Sequence, residues 1–281
     1  MIRIVTDSTC DLSDELLAQH RISVVPINIQ FGQDSYQEKV TIGPALFYRK
    51  VAELKMIPTT SQPSLGQFQA AFRALAAEPD TDAILCIHIT GQLSGTYGAA
   101  VVAAGQMPPQ PPITVFDSLS GSMRLGFMVL AAAAMAEAGA AMSDIVARLE
   151  TLRKRMHIFF SLNDLRFAQM SGRVGAVKAL LVSLLNVKPM LTVQEGQLTM
   201  LKRVRSRAQG LQALVDALAE ALENRPGQLA VIHAQAPDAA EQVRAALAAR
   251  LSGSAIVIRE LSIGIAVHFG PGTVGVVGYH P

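Results

Sequence analysis

The stretch Ile84-Leu85-Cys86-Ile87-His88-Ile89-Thr90-Gly91-Gln92-Leu93-Ser94-Gly95-Thr96-Tyr97 constrains the chain most. An apolar run ends in a turn holding Gly91, Ser94 and Gly95, and a small-residue segment, residues 97–105, follows. That order reads as buried strand, tight turn and helix. In an open α/β sheet such turns lie at the carboxyl ends of strands, where ligands bind. Ser94 and Thr96 would bring two hydroxyls and backbone N–H groups to a helix start, a setting suited to an anionic group. Taken alone, the turn is read more simply with Ser94 as a helix N-cap.

Further strands and helices alternate around this unit. Residues 2–5 read as a buried strand, followed by the polar turn Asp7-Ser8-Thr9 and a helix that Asp11 or Ser13 caps. Residues 22–29 read as one β-rich stretch leading into a hairpin through Gly32-Gln33-Asp34. Pro44 opens a helix with Phe47, Val51 and Leu54 on one face. Prolines bracket Pro58-Thr59-Thr60-Ser61-Gln62-Pro63-Ser64, which reads as an extended loop before a helix over residues 65–77 capped by Ser64. After a strand over residues 113–116, Asp117-Ser118 forms its polar end and a long apolar helix spans roughly residues 122–138. This alternation predicts a mostly parallel, right-handed α/β domain over residues 1–155. Residues 156–281 mix strands, a Glu195-Gly196 hairpin and helices, which predicts an α+β domain with a mixed or antiparallel sheet. The two domains are expected to pack with a ligand cleft between them. Within the second, the glycine-rich tract 264–278 reads most plainly as strand, turn and strand.

Half of the 281 residues are hydrophobic and 16% are charged, enough to build a large core. The most apolar segment, residues 127–142, is too short for a bilayer span and reads as a buried helix. The first residues lack the pattern of a signal peptide, and the only cysteines, Cys10 and Cys86, have no metal-ligand spacing. A cytoplasmic protein without a metal or other cofactor is expected, in contact with membranes only transiently. The net charge of +2 argues against a nucleic-acid partner.

Classical catalytic signatures are missing. No phosphate-binding loop of the Gly-x-x-x-x-Gly-Lys type occurs, nor Gly-x-Gly-x-x-Gly after the first strand. Gly91 and Gly95 do not frame Ser94 as a nucleophile elbow requires. A serine hydrolase would still need His88 or His268, oriented by Asp7 or Asp117.

The segments Asp7-Ser8-Thr9-Cys10-Asp11-Leu12, Pro58 to Ser64, Ser94-Gly95-Thr96, Asp117-Ser118 and Val267-His268-Phe269-Gly270-Pro271-Gly272-Thr273 together resemble the DegV family. Its best-understood members are the FakB-type fatty-acid-binding subunits of bacterial fatty acid kinase. The resemblance runs the whole length. It implies that a long-chain fatty acid lies in a buried apolar tunnel, its carboxylate held by Thr60, Ser61, Ser94 and His268, with Thr96 and Arg173 as additional members. It also implies a separate ATP-dependent kinase that forms an acyl phosphate, so no catalysis is expected of this chain alone, which would be a monomer by itself. Docking of that kinase falls to Arg173 and to Lys202, Arg203 and Arg205, residues otherwise read as a solvated basic face. Two positions depart from the family pattern: Ser171 replaces a glycine before Gly172-Arg173, and Arg124 stands where a small residue is expected. Arg124 would either alter packing near the site or add a cation beside it. The alternatives to fatty acid presentation are a hydrolase using Ser94 and a sensor or carrier of another small carboxylate.

Overall fold

A computed structural model describes residues 1–172 and 188–281, and it divides into two compact units, Met1–Lys154 and Arg155–Pro281.

The first unit is built on four parallel strands. β1 (Ile2–Asp7), β2 (Ser23–Val25), β6 (Ala83–His88) and β7 (Ile113–Asp117) lie in the order β2-β1-β6-β7. β6 is buried at every position, which explains its unbroken apolar run. Period-2 alternation sends Val5, Ile84 and Cys86 to one face, where they pack on Phe68 and Phe72 of α3 (Leu65–Ala76) and Ala100 and Ala103 of α4 (Thr96–Gly105). The sheet is also covered by α5 (Ser122–Glu137), which packs on β1 and β6. A Cβ on Gly126 of α5 would lie 2.4 Å from the Cys10 carbonyl oxygen, so this helix approaches the turn after β1 as only glycine allows.

Helix starts follow local chemistry. Ser13 caps α1 (Asp14–Gln19), Pro44 opens α2 (Pro44–Leu54), and Ser64 and Gln67 form a reciprocal capping box on α3. On α2 the expected face is only partly correct. Phe47 and Tyr48 are buried, whereas Leu54, the last residue of the helix, is 50% exposed.

The β-rich stretch over 22–29 is divided. Pro26 interrupts it, and β3 (Asn28–Phe31) leaves the parallel sheet to form a small antiparallel sheet in the order β4-β3-β5, with β4 (Asp34–Gln37) and β5 (Thr59–Ser61). The Gly32-Gln33 hairpin is as expected. The loop expected at 58–64 is in part an element, because residues 59–61 pair with β3 and satisfy their backbone groups there.

The second unit holds a six-stranded mixed sheet. After α6 (Met142–Arg155) come β8 (His157–Ser161), α7 (Leu165–Ser171), β9 (Lys188–Gln194) and β10 (Gln197–Val204). Next are α8 (Arg207–Ala221), β11 (Gln228–His233), α9 (Pro237–Arg250), β12 (Ala255–Glu260), α10 (Ile263–Phe269) and β13 (Val274–Tyr279). The strand order is β10-β9-β8-β13-β11-β12, parallel only between β11 and β12. Glu195 and Gly196 turn the β9–β10 hairpin with φ of 45° and 80°, the left-handed pair that a two-residue turn requires. The tract 264–278 departs from the strand–turn–strand reading. Residues 263–269 are helical, and only the part from Val274 is a strand. Its short apolar run is compatible with either state, and flanking glycines did not arbitrate. Leu214, Leu218, Leu229, Val231, Val243 and Val276 form the centre of this unit's core.

Candidate functional site

The first chain reversal in the parallel sheet falls between β1 and β6. β1 is followed by β2 on one side, whereas β6 and β7 extend the other side, so the carboxyl ends of β1 and β6 flank the topological switch point. Asp7 and His88 occupy those ends. Both are fully buried, and His88 Nδ1 lies 3.1 Å from Asp7 Oδ2. Oδ2 also accepts from Ile89 N at 2.9 Å, while Oδ1 accepts from Thr9 N at 3.0 Å and from the Thr9 hydroxyl. Burial by itself would raise the Asp7 pKa. The hydrogen bonds and charge interaction with His88, the Thr9 bond and the Ile89 N–H outweigh it and hold the carboxyl below its usual range. Nearby, the Cys10 thiol is pushed up to about 12 by burial, so it stays protonated and is no nucleophile.

The Ser94 turn projects from the end of β6. Thr90 O accepts from Leu93 N and Ser94 N, both at 3.2 Å, and Thr90 Oγ1 accepts from Gln92 N at 3.2 Å. Ser94 Oγ lies 2.8 Å from the buried Thr96 hydroxyl and accepts from Thr96 N at 3.3 Å. The N-cap of α4 is Gly95, so the plain N-cap reading of Ser94 is displaced by one residue. Gly95 makes room for a neighbour: a Cβ there would lie 2.8 Å from the Gln62 side chain. Gln62 directly follows Thr60 and Ser61, which are half-buried on β5. Asn28 Nδ2 donates to Gln62 O at 3.1 Å and ties that segment to β3. The fold therefore brings the Thr60-Ser61-Gln62 segment beside the Ser94-Gly95 turn. Gln62 and Asn28 were not singled out by sequence reasoning, and the only signal was a polar residue next to the hydroxyl pair.

The remaining expected residues are placed as follows. His268 lies half-buried in the last turn of α10, in the second unit, followed by Gly270 and Gly272 with φ of 77° and 83°. Its neighbour Phe269 packs edge-on against Phe160 at 4.8 Å between ring centroids. Lys202, Arg203 and Arg205 are exposed along and just beyond β10, the edge strand of the sheet, where charge also blocks edge-to-edge pairing. Arg173 lies outside the described residues. Arg124 is 9% exposed and donates to the Arg153 carbonyl, so it braces helices from inside rather than adding a free cation to a rim.

The hydrolase geometry is not assembled in the first unit. Ser94 pairs with Thr96, and His88 Nε2 has no hydrogen-bond partner among the described residues, whereas a triad joins serine directly to histidine. Among the described residues no group of three His, Cys, Asp or Glu side chains could hold a metal ion. No helix among them is long and apolar enough to cross a membrane.

A family model described as "Uncharacterised protein, DegV family" matches residues 1–280. The chain belongs to the DegV family. A DegV domain-containing protein from Deinococcus radiodurans is 37% identical over 278 residues, covering 98% of this chain and 97% of that protein. Solved structures share the fold closely. One from Thermus thermophilus, described as fatty acid binding, has a TM-score of 0.91 at 34% identity, covering 100% of this chain and 99% of that one. DegV of Bacillus subtilis, described as a fatty acid binding protein, has a TM-score of 0.90 at 29% identity, covering 99% of both chains. A stearic-acid-binding protein from Eubacterium ventriosum has a TM-score of 0.88 at 26% identity, covering 100% of this chain and 98% of that one.

Proposed function

We propose that this DegV-family chain binds a long-chain fatty acid and presents its carboxylate to a separate ATP-dependent kinase for acyl phosphate formation. The observation that carries the reading is the hydroxyl-bearing segment Thr60-Ser61 beside the Ser94-Thr96 pair, in a fold whose solved relatives bind fatty acids. Hydroxyls donate to a carboxylate without adding a competing negative charge. On the family resemblance alone, the proposal extends to His268 and Arg173 as further contacts of the head group. The same resemblance supports Arg173, Lys202, Arg203 and Arg205 as the docking surface for the kinase.

Magnitudes divide the labour. Burying roughly 14 methylenes at ~0.8 kcal/mol each contributes about 11 kcal/mol gross. One hydrogen bond contributes ~0.5–1.5 kcal/mol. The tail therefore governs affinity, and the hydroxyls govern the orientation of the carboxylate, which a transfer reaction needs.

Mass spectrometry of lipid extracted from the purified protein tests the first step. A long-chain fatty acid is expected; a short polar acid would replace the reading with that of a small-carboxylate carrier. Acyl phosphate formation with a fatty acid kinase tests the second. Ser94→Ala and His268→Ala should retain the acyl chain yet lose more in phosphorylation than in binding. Equal losses in both assays would reduce these residues to simple binding contacts.

A further inference from the structure

The turn that carries Ser94 is held from the neighbouring strand. Asp117 ends β7, and its two carboxylate oxygens are both engaged: Oδ2 accepts from Gly91 N at 3.1 Å, and Oδ1 accepts from Leu119 N at 2.8 Å. One residue back, Thr90 N donates to Ser120 O at 2.7 Å. Thr90 O in turn receives Ser94 N. The path from Asp117 to Ser94 thus runs through one side-chain bond and one tight turn, without a flexible side chain in between. Gly91 also has little room to move. A Cβ there would lie 3.2 Å from both Asp117 Oδ2 and Tyr97 Cδ1, so the turn is wedged between the carboxylate and the first turn of α4.

Asp117 is itself braced. Arg153 Nη1 donates to the Asp117 carbonyl at 2.9 Å, and its guanidinium lies 5.0 Å from the centroid of Phe116. Arg153 also pairs with Glu150, and its own carbonyl accepts from Arg124. Two helices, α5 and α6, are therefore tied to the end of β7 through two arginines.

We infer that Asp117 is a positioning residue for the Ser94 hydroxyl, acting through the Gly91 N–H, with Arg153 and Arg124 as its brace. This assigns a role to the arginine that departs from the family pattern: it supports the site from behind, through Arg153. The inference rests on the proposed carboxylate-binding role of Ser94.

The test uses the full chain loaded with palmitate labelled with 13C at the carboxyl carbon. Ser94→Ala should move the bound carboxyl resonance and weaken palmitate binding about ten- to a hundredfold, the cost of one hydrogen bond to a charged group. Asp117→Ala should reproduce most of that movement, and Asp117→Asn, which keeps one acceptor oxygen, part of it. The double variant Ser94→Ala/Asp117→Ala should move the resonance no further than Ser94→Ala alone, because both act through one hydroxyl. Asp117→Asn is nearly isosteric and keeps the experiment decisive if the alanine variant does not fold. A resonance unmoved by Asp117→Asn, or movements that add in the double variant, would overturn the inference while leaving the fatty acid reading intact. A wild-type protein that gives no bound resonance, or one that Ser94→Ala does not move, would overturn the head-group reading itself and the inference with it.

Discussion

Replacing Asp7 removes the acceptor for four donors at the sheet's switch point. In Asp7→Ala the Thr9 hydroxyl can rotate to another partner, and His88 loses its Nδ1 contact. The Thr9 and Ile89 backbone N–H groups cannot follow, because the strand ends fix them. Each buried donor left unpaired costs about 1–3 kcal/mol, so the two fixed backbone N–H groups together cost about 2–6 kcal/mol. A loss of about 2–6 kcal/mol is expected for Asp7→Ala. Asp7→Asn keeps the Oδ1 contacts to Thr9 but turns an NH2 toward the Ile89 N–H, so about 1–3 kcal/mol is expected. The pH dependence has a definite sign. A carboxyl whose native pKa lies below its unfolded value, as for Asp7, contributes fully above about pH 4 and loses that contribution as pH falls through the native pKa. The stability gap between wild type and Asp7→Asn should therefore close in acid. The chain has no tryptophan, so urea unfolding is best followed by far-UV circular dichroism. Two compact units need not unfold in one step, so hydrogen exchange at the Ile89 amide supplies the local reading. Asp7→Ala within about 1 kcal/mol of wild type, or a gap to Asp7→Asn that does not change in acid, would refute the argument.

Two glycines should respond in opposite directions to alanine. Gly126→Ala drives a Cβ to 2.4 Å from the Cys10 carbonyl and should cost about 1–3 kcal/mol, whereas Gly98→Ala in α4 meets nothing within 4 Å and should gain about 0.5–1 kcal/mol in thermal unfolding. Ser64→Ala removes half of the α3 capping box and should cost about 0.5–2 kcal/mol by the same measurement. Neutralising Lys202, Arg203 and Arg205 together should leave fatty acid affinity nearly unchanged and slow kinase-dependent phosphorylation, with a steeper effect at low ionic strength. Variants that purify without lipid and bind none would show that these charges hold ligand.

The elements with strong local signals were legible in the amino-acid order. The uninterrupted Ile84 to Ile89 run, the Glu195-Gly196 turn, Pro44 at a helix start and Ser64 as a helix cap each encode structure within a few residues. Strand partnership is not local. Nothing within residues 22–31 says that Ser23–Val25 joins a parallel sheet while Asn28–Phe31 pairs with segments on both sides of it, because each partner is supplied from elsewhere in the chain. The same holds at the candidate site. The hydroxyls of Thr60, Ser61 and Ser94 are visible as residue types, and the family resemblance groups them. Only the tertiary structure sets Gln62 against Gly95, joins Asp7 to His88 across the switch point and places Asp117 on the Gly91 N–H. It also settles Arg124, whose long side chain reaches a carbonyl at the end of another helix, 29 residues away in the chain. Sequence spacing carries information along one helix or strand. Contacts between residues that distant depend on how the elements cross, and that crossing is decided only when the core packs.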